Sequence, residues 1–197
     1  MRLTKIVCLL LLTACGDSTT GPPPVATSIV LSSTSLSFTS LGQTQQLTAS
    51  VQDQSGATIG GAALTWTSSA ASVATVSPTG LVTAVADGTA TITATSGSAS
   101  GTATVTVSQV AQSVTLAPTS LSFTSAGDTA TLVATVRDSG GNIISGATVT
   151  WVTSSSSVAT VSAAGLVTAV ADGTATITAT SGSASGAATV TVQTTSY

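Results

Sequence analysis

The sequence contains no histidine and no glutamate, and these absences exclude several kinds of active site. Without histidine, neither a Ser-His-Asp nor a Cys-His catalytic arrangement can form, and a zinc site cannot use a histidine ligand. The acidic residues are all aspartates, and no two of them are spaced in a way that suggests an acid/base pair. The sequence therefore predicts a protein that is not an enzyme, with no catalytic residues, no metal and no cofactor.

Positive charge is also scarce, because the only basic residues are Arg2, Lys5 and Arg137. The first two lie in an N-terminal segment that we expect to be removed. A single arginine cannot neutralise a row of phosphates, so nucleic acid is excluded as a partner. Docking to an anionic membrane by charge alone is excluded for the same reason.

What the chain does contain is mainly Thr, Ser, Ala, Val and Gly, with charged residues at only 5% and aromatic residues at 3%. Thr and Val are β-branched and fit a pleated strand better than a helix. No stretch has the apolar periodicity of an amphipathic helix. The composition therefore predicts an all-β fold.

The N-terminus has the pattern of a secretory signal, predicted over residues 1–14. Two positive charges precede an apolar run at 6–12, and Thr13-Ala14-Cys15 follows. The run is too short to span a bilayer, which takes about 20 residues. The segment Leu12-Thr13-Ala14-Cys15 resembles the lipobox of bacterial lipoproteins. That resemblance implies cleavage before Cys15 and acylation of its sulfur and of the new amino terminus; the alternative is a simple secretory signal with an incidental cysteine.

Residues 15–25 follow as a predicted tether, because Gly21-Pro22-Pro23-Pro24 favours an extended polyproline II stem. Cys8 would be lost with the signal peptide. The mature chain would then keep one cysteine, the lipidated Cys15. An intramolecular disulfide is therefore excluded, and the folded part must be stabilised by packing.

The rest of the chain is an internal repeat. Residues 25–108 align with residues 110–193 without a gap at a constant offset of 85, and about two-thirds of the aligned positions are identical. The segment from Gly80 to Gly101 recurs unchanged from Gly165 to Gly186. The repeat predicts two domains, 26–108 and 110–193. Since only Ser108 and Gln109 lie between the copies, we expect the domains to stack end to end with limited bending.

Each copy reads as a series of short strands separated by turn residues, which is typical of a β-sandwich. Ala90, Ile92 and Ala94 should face the core while the intervening threonines face water. Leu47, Ala49 and Val51 should form another inward face. In the first copy, the predicted strands are 28–32, 36–40, 45–52, 63–68, 73–76, 81–86, 89–95 and 102–107.

Each copy also has one tryptophan, Trp66 or Trp151, inside a predicted strand. An immunoglobulin sandwich commonly buries one tryptophan in this part of the fold, so we expect both to pack in the core. A role as a binding platform is the alternative.

These features together resemble the bacterial immunoglobulin-like group 2 family, a domain also seen in intimin- and invasin-like adhesins. The resemblance covers nearly all of the mature chain and implies two tandem immunoglobulin-like β-sandwiches. It indicates little about function, because sandwiches serve many functions. In the first copy the residues that carry it are Leu36-Ser37-Phe38, Leu47-Thr48-Ala49, Trp66, Ser68-Ser69, Val73-Ala74-Thr75-Val76, Gly80-Leu81-Val82-Thr83-Ala84 and Gly88-Thr89-Ala90-Thr91-Ile92.

Four aspartates are candidate calcium ligands: Asp53, Asp87, Asp138 and Asp172. Calcium needs six to eight oxygen ligands, whereas each of these aspartates stands alone with a Gly or Ser within two residues of it. We therefore expect them to form turns. The one credible metal geometry is a meeting of two aspartates from different domains at the junction.

The loops at 53–62 and 138–147 differ most in chemistry between the copies, which makes them candidates for ligand contact. Sequence drift after duplication is the alternative. The ligand-binding residues, if any, are not identified by the sequence.

The function predicted from these observations is a lipid-anchored cell-envelope or surface protein that presents immunoglobulin-like domains for adhesion or structural spacing. Its expected partners are the membrane, through the lipid anchor, and glycans or surface proteins. The alternative is a polysaccharide- or ligand-binding lipoprotein inside the envelope. In bacterial lipoproteins, an aspartate directly after the lipidated cysteine is associated with retention in the inner membrane. The residue after Cys15 is Gly16, which mildly favours the outer membrane.

Overall fold

The computed structural model describes residues 23–194. The predicted signal peptide, Cys15 and most of the tether at 15–25 lie outside these residues. The described part contains strands, turns and bends and no helix, which confirms the all-β prediction. Accordingly, residues 23–194 include no helix of the length and apolar character needed to cross a membrane.

Each domain contributes nine strands. In the first domain they are β1 (Ser28–Leu31), β2 (Ser35–Phe38), β3 (Thr44–Gln46), β4 (Ala49–Gln52), β5 (Thr65–Ser68), β6 (Ala74–Val76), β7 (Leu81–Ala84), β8 (Gly88–Ser96) and β9 (Ala99–Val107). In the second domain they are β10 (Ser113–Ala117), β11 (Ser120–Phe123), β12 (Thr129–Thr131), β13 (Val133–Arg137), β14 (Thr150–Thr153), β15 (Ala159–Val161), β16 (Leu166–Ala169), β17 (Gly173–Ser181) and β18 (Ala184–Val192).

The strands of the first domain form a four-stranded sheet in the order β2-β9-β8-β5, a three-stranded sheet in the order β3-β7-β6, and the pair β1-β4. The second domain repeats this topology as β11-β18-β17-β14, β12-β16-β15 and β10-β13. Strands β2 and β9 pair in parallel, as do β11 and β18, whereas the other strand pairs are antiparallel. This is the two-layer arrangement of an immunoglobulin-like sandwich.

The core lies between the layers and is built from alternate residues of the long strands, as predicted. Ala90, Ile92 and Ala94 on β8 are all buried. The intervening Thr91 and Thr93 are half-buried and not fully exposed. Side chains of the neighbouring strands flank them on the same face, since Thr91 lies opposite Thr104 and Thr93 opposite Thr102.

The single strand predicted at 45–52 is wrong. The chain forms β3 and β4 as separate strands in different sheets, β3 pairing with β7 and β4 with β1. Leu47 lies between them and is only 1% exposed. Leu47 is therefore buried at the point where the chain changes sheet, and the predicted inward face does not continue along one strand. Ala49, at the start of β4, is half-buried.

Both tryptophans pack against the core, although each remains half-buried. The ring of Trp66 lies directly over Gly80, where a Cβ atom would stand 3.0 Å from Cζ2 and would collide with the carbonyl oxygen of Leu47. Gly80 also has a φ of +86°, a conformation that other residues adopt only with strain. Trp151 and Gly165 repeat the arrangement in the second domain. Packing against the core agrees with the predicted role of the tryptophans.

Candidate functional site

The two domains meet at a junction, and the linker at 108–109 is one part of it. Ser108 donates its backbone N–H to the Phe38 carbonyl at 2.9 Å, and Val110 donates to the Thr39 carbonyl at 2.9 Å. The connection is therefore hydrogen-bonded to the first domain up to the point where the second domain begins. This leaves the linker little freedom to bend.

A turn at the end of β13 supplies the second domain's side of the junction. Asp138 accepts, through Oδ1, the backbone N–H groups of Gly140 and Asn142, both at 2.9 Å. Its own N–H donates to the Asn142 carbonyl, also at 2.9 Å. An aspartate that bonds the backbone just after it is a common way to hold a tight turn. The prediction that Asp138 forms a turn is confirmed.

The second oxygen of the same carboxylate reaches across to the first domain and the linker. Oδ2 of Asp138 accepts the backbone N–H of Leu41 at 3.0 Å and the side-chain amide of Gln109 at 2.9 Å. The Asn142 amide donates to the Leu41 carbonyl at 3.1 Å, and the Gly140 N–H donates to Ser40 Oγ at 3.0 Å. One aspartate thus joins its own turn, the linker and the preceding domain.

Two side chains of this network are buried, since Asp138 is 3% exposed and Ser40 is 1% exposed, whereas Leu41, Gln109 and Asn142 are half-buried and Gly140 is exposed. Burial alone would raise the pKa of Asp138. The hydrogen bonds from Gln109, Leu41 and Asn142 outweigh that effect and hold the pKa well below its usual range. The carboxylate therefore remains ionised at neutral pH. Its oxygens accept hydrogen bonds from N–H groups, whose partial positive charge stabilises an anion and repels a cation.

The other three candidate calcium ligands bond backbone or hydroxyl donors in a similar way. Asp53 accepts bonds from Ser55 N at 2.8 Å, Ser55 Oγ at 2.6 Å and Ala57 N at 2.9 Å, and the Ser55 bonds lower its pKa. Asp172 accepts Thr194 N at 2.6 Å, which lowers its pKa. Across residues 23–194, no group of three or more metal-ligating side chains is present.

The two aspartates of different domains that lie at the junction are Asp87 and Asp138, and each accepts a hydrogen bond from Gln109. Asp87 accepts the backbone N–H of Gln109 at 2.8 Å, while Asp138 accepts the side-chain amide of the same residue. Gln109 therefore provides two N–H donors where a shared calcium ion would have supplied positive charge.

The structure explains two of the exchanges between the loops 53–62 and 138–147. In the second domain Gly140 replaces Ser55 and Asn142 replaces Ala57. A Cβ atom on Gly140 would lie 2.6 Å from Ser40 Oγ and 2.8 Å from Asn142 Nδ2. The glycine thus permits close approach of the first domain, and the asparagine supplies the contact to Leu41. These two exchanges serve the junction, so neither drift nor ligand contact is needed to account for them.

The remaining exchanges in that loop are not explained by the junction. Ile143, which replaces Thr58, is 54% exposed and helps to line a groove of about 280 Å³ together with Ala134, Val136, Ile144 and Val149. Binding of a ligand by this loop stays a prediction.

Sequence reasoning missed three residues of the junction: Ser40, Leu41 and Gln109. A signal for two of them was present. At the equivalent positions of the second copy, Leu41 is replaced by Ala126 and Gln109 by Thr194. Here the copies diverge at a domain end while most of their core residues stay the same, and the divergent positions lie on a surface that only the first domain uses.

Solved structures similar to this chain include a surface layer protein and a human protocadherin. The surface layer protein SbsC, domains 1–6, is 26% identical, with a TM-score of 0.43 over 88% of this chain, and the chain spans 29% of that structure. SbsC domains 4 and 5 are 26% identical, with a TM-score of 0.41 and coverage of 85% of this chain and 98% of that one. Human protocadherin-24 EC1-2 is 16% identical, with a TM-score of 0.35 and coverage of 88% and 100%.

A comparison with curated proteins returned no significant match. The profile of the bacterial Ig-like domain (group 2) family, in contrast, matches residues 25–107 and 110–192, which together form most of the chain. These matches coincide with the two sandwiches and confirm the resemblance seen in the sequence. The chain belongs to the bacterial Ig-like (group 2) family, of which it carries two tandem domains.

Proposed function

We propose that this protein is a lipid-anchored spacer of the bacterial cell surface, which holds two immunoglobulin-like domains in a fixed end-to-end order for adhesion or structural support. Cys15 is the anchor, and it is the first residue of the tether at 15–25. The role needs no reaction chemistry. Family membership supports a protein of the surface or envelope.

The observation that carries the proposal is the junction around Asp138. Domains that only share a chain need no contact at all. Here the linker, the Ser40–Leu41 segment and the Asp138 turn are joined by hydrogen bonds of 2.9–3.1 Å around the buried side chains of Asp138 and Ser40. These bonds favour one geometry, because any other would leave the buried Asp138 carboxylate without partners. A fixed geometry suits a spacer.

The anchor is tested by mass spectrometry of the mature N-terminal peptide from a bacterial host that expresses the full chain. We expect a peptide that begins at Cys15 and carries acyl chains, and Cys15→Ser should release the protein from the membrane fraction. Replacing Cys8 by serine is the matched control and should change neither result. An unmodified N-terminus upstream of Cys15 would contradict the anchor.

Display at the surface is tested by adding protease to intact cells, with lysed cells as the control for intrinsic cleavability. Cleavage of the two domains on intact cells supports the spacer. Full protection on intact cells, with cleavage after lysis, would support the alternative of a polysaccharide- or ligand-binding lipoprotein inside the envelope.

A further inference from the structure

Each domain has an entry end, where the chain comes in, and an exit end, where it leaves. The junction joins the exit end of the first domain, at Leu41, to the entry end of the second, at Asp138. The other two ends are the entry end of the first domain, at Asp53, and the exit end of the second, at Ala126. Because the copies align without a gap, each of these outer ends can be compared residue by residue with its counterpart at the junction.

The exit ends of the two domains differ in charge. In the first domain an amide holds the exit turn, since Gln43 Oε1 accepts the N–H of Thr39 at 2.9 Å and that of Ser40 at 3.3 Å. In the second domain a carboxylate takes that place, and Oδ2 of Asp128 accepts the N–H of Ser125 at 3.0 Å. The exit end of the second domain therefore carries a negative charge that the first lacks.

This charge lies where a stacked domain would place its own. At the junction the next N–H along the chain, that of Leu41, donates to Oδ2 of Asp138 at 3.0 Å. The equivalent N–H in the second domain belongs to Ala126, next to the one that Asp128 holds. The entry turn of a second copy carries Asp53, so stacking there would place two carboxylates on neighbouring N–H groups. Like charges at that distance repel.

The entry end of the first domain is completed by one of its own side chains. Val25 donates its N–H to Gln54 Oε1 at 3.0 Å, whereas the equivalent Val110 donates to the Thr39 carbonyl of the preceding domain at 2.9 Å. Gln54 thus occupies the place that a preceding domain takes at the junction. The second domain has Ser139 at that position, which is too short for this bond.

The outer ends also lack the shape and the donor that the junction uses. A Cβ atom on Gly140 would lie 2.6 Å from Ser40 Oγ, and Ser55 has that Cβ atom. Gln109 donates its side-chain amide to the junction, and Thr194 has no amide to replace it. Stacking of a second copy would therefore meet steric overlap and repulsion with one hydrogen bond fewer.

We infer that Asp128 at one outer end, and Gln54 with Ser55 at the other, prevent copies of this chain from stacking on one another end to end. Such a contact between identical chains is heterologous and would repeat into an open filament. The two domains share a fold and most of their sequence, so discrimination between their ends depends on these few repelling or blocking residues. The inference goes beyond the proposed spacer role and does not depend on the lipid anchor.

The effect of charge is tested at the junction itself, in the chain without its predicted signal peptide and with Cys15→Ser. Gln43→Asp gives the first domain the exit carboxylate of the second, and Gln43→Asn is the neutral control of equal size. We expect the Leu41 amide to exchange its hydrogen about tenfold or more faster in Gln43→Asp than in Gln43→Asn, because repulsion opens the junction. Unchanged exchange at Ile92 shows that the domain stays folded. Equal exchange at Leu41 in the two variants would overturn the inference.

Stacking between copies is measured by light scattering from micromolar to millimolar concentrations, the range that a short linker imitates. We expect the wild-type chain to stay monomeric and a converted chain, with junction residues at both outer ends, to associate. A chain converted only at the exit end is the control and should stay monomeric. Association of the wild type or of this control, or a fully converted chain that stays monomeric, would overturn the inference. The full conversion is Gln54→Ser, Ser55→Gly, Ala57→Asn, Ala126→Leu, Asp128→Gln and Thr194→Gln.

Discussion

The side-chain amide of Gln109 donates a hydrogen bond to Oδ2 of Asp138 at 2.9 Å, which ties the two-residue linker to the second domain. The backbone N–H of Gln109 donates at the same time to Asp87 of the first domain at 2.8 Å. Gln109 thus connects two aspartates from different domains. The arrangement makes the linker part of the hydrogen-bonded junction and gives Asp138 a role that the equivalent Asp53 does not have.

Removal of the Asp138 carboxylate should destabilise the second domain more than the equivalent change destabilises the first. Asp138→Ala breaks the turn and leaves the Leu41 and Gln109 donors without their partner, so we expect a loss of about 3 kcal/mol in the free energy of unfolding. The matched control, Asp53→Ala, breaks only its own exposed turn and should cost clearly less. Urea unfolding measures the stability of each domain separately. The second domain is followed by the fluorescence of Trp151 with Trp66 replaced by phenylalanine, and the first by that of Trp66 with Trp151 replaced by phenylalanine. Equal losses would show that the contacts across the junction contribute nothing.

The stability of the junction should depend on pH only under acidic conditions. The folded pKa of Asp138 lies below its unfolded value, so its contribution is fully present above an unfolded pKa of about 3.9 and is lost as the pH falls from there towards the folded pKa. We expect the free energy of unfolding to show no change from this group between neutral pH and about pH 5. The difference in the free energy of unfolding between wild type and Asp138→Asn, measured as a function of pH, isolates the contribution of this carboxylate. If that difference already changes near neutral pH, the depressed pKa is wrong.

Calcium should leave the thermal stability of the chain unchanged. The Asp138 oxygens are occupied by N–H donors, and Gln109 stands between Asp87 and Asp138 where a shared ion would have to bind. The measurement is the Tm in millimolar calcium compared with excess chelator. A rise in Tm with calcium that disappears in Asp87→Asn would contradict this arrangement.

Gly80 should be much less tolerant of substitution than Gly97, although both have positive φ angles. At Gly80 a Cβ atom meets the Leu47 carbonyl and the Trp66 ring, whereas at Gly97 nothing lies within 4 Å. We expect Gly80→Ala to cost about 3 kcal/mol, from steric overlap and backbone strain, and Gly97→Ala about 1 kcal/mol, from strain alone. Thermal or urea unfolding checks both. Similar costs at the two sites would show that the tryptophan does not pack closely on Gly80.

Much of the fold follows from local pattern. The alternation of Ala90, Ile92 and Ala94 identifies a strand and its inner face without tertiary information, and the repeat fixes the number of domains. The separation of β3 from β4 does not follow, because Leu47, Ala49 and Val51 alternate in the same way whether the strand continues or changes sheet. Only the packing of Leu47 into the core decides between the two.

The junction depends on contacts that no local pattern contains. Leu41 and Asp138 are 97 residues apart in the chain, and their bond uses a backbone N–H that every residue except proline carries. The sequence identified Asp138 as a turn former and the loop 138–147 as divergent, and both observations are correct. From the sequence alone, the divergence of this loop was attributed to ligand contact or to drift. The surface of the first domain that contacts Gly140 and Asn142 is formed only by folding, so no sequence pattern could indicate it.

NMR relaxation of the backbone amides across residues 23–194 tests most directly whether the domains form one rigid unit. The account predicts that both domains of the wild-type chain share one rotational diffusion tensor. It also predicts that the double variant Gly140→Ser/Asn142→Ala, which gives the second domain the loop residues of the first, separates them into faster, independent motions. The reciprocal variant Ser55→Gly/Ala57→Asn should leave the shared tensor intact. Independent tumbling of the two wild-type domains would contradict the account.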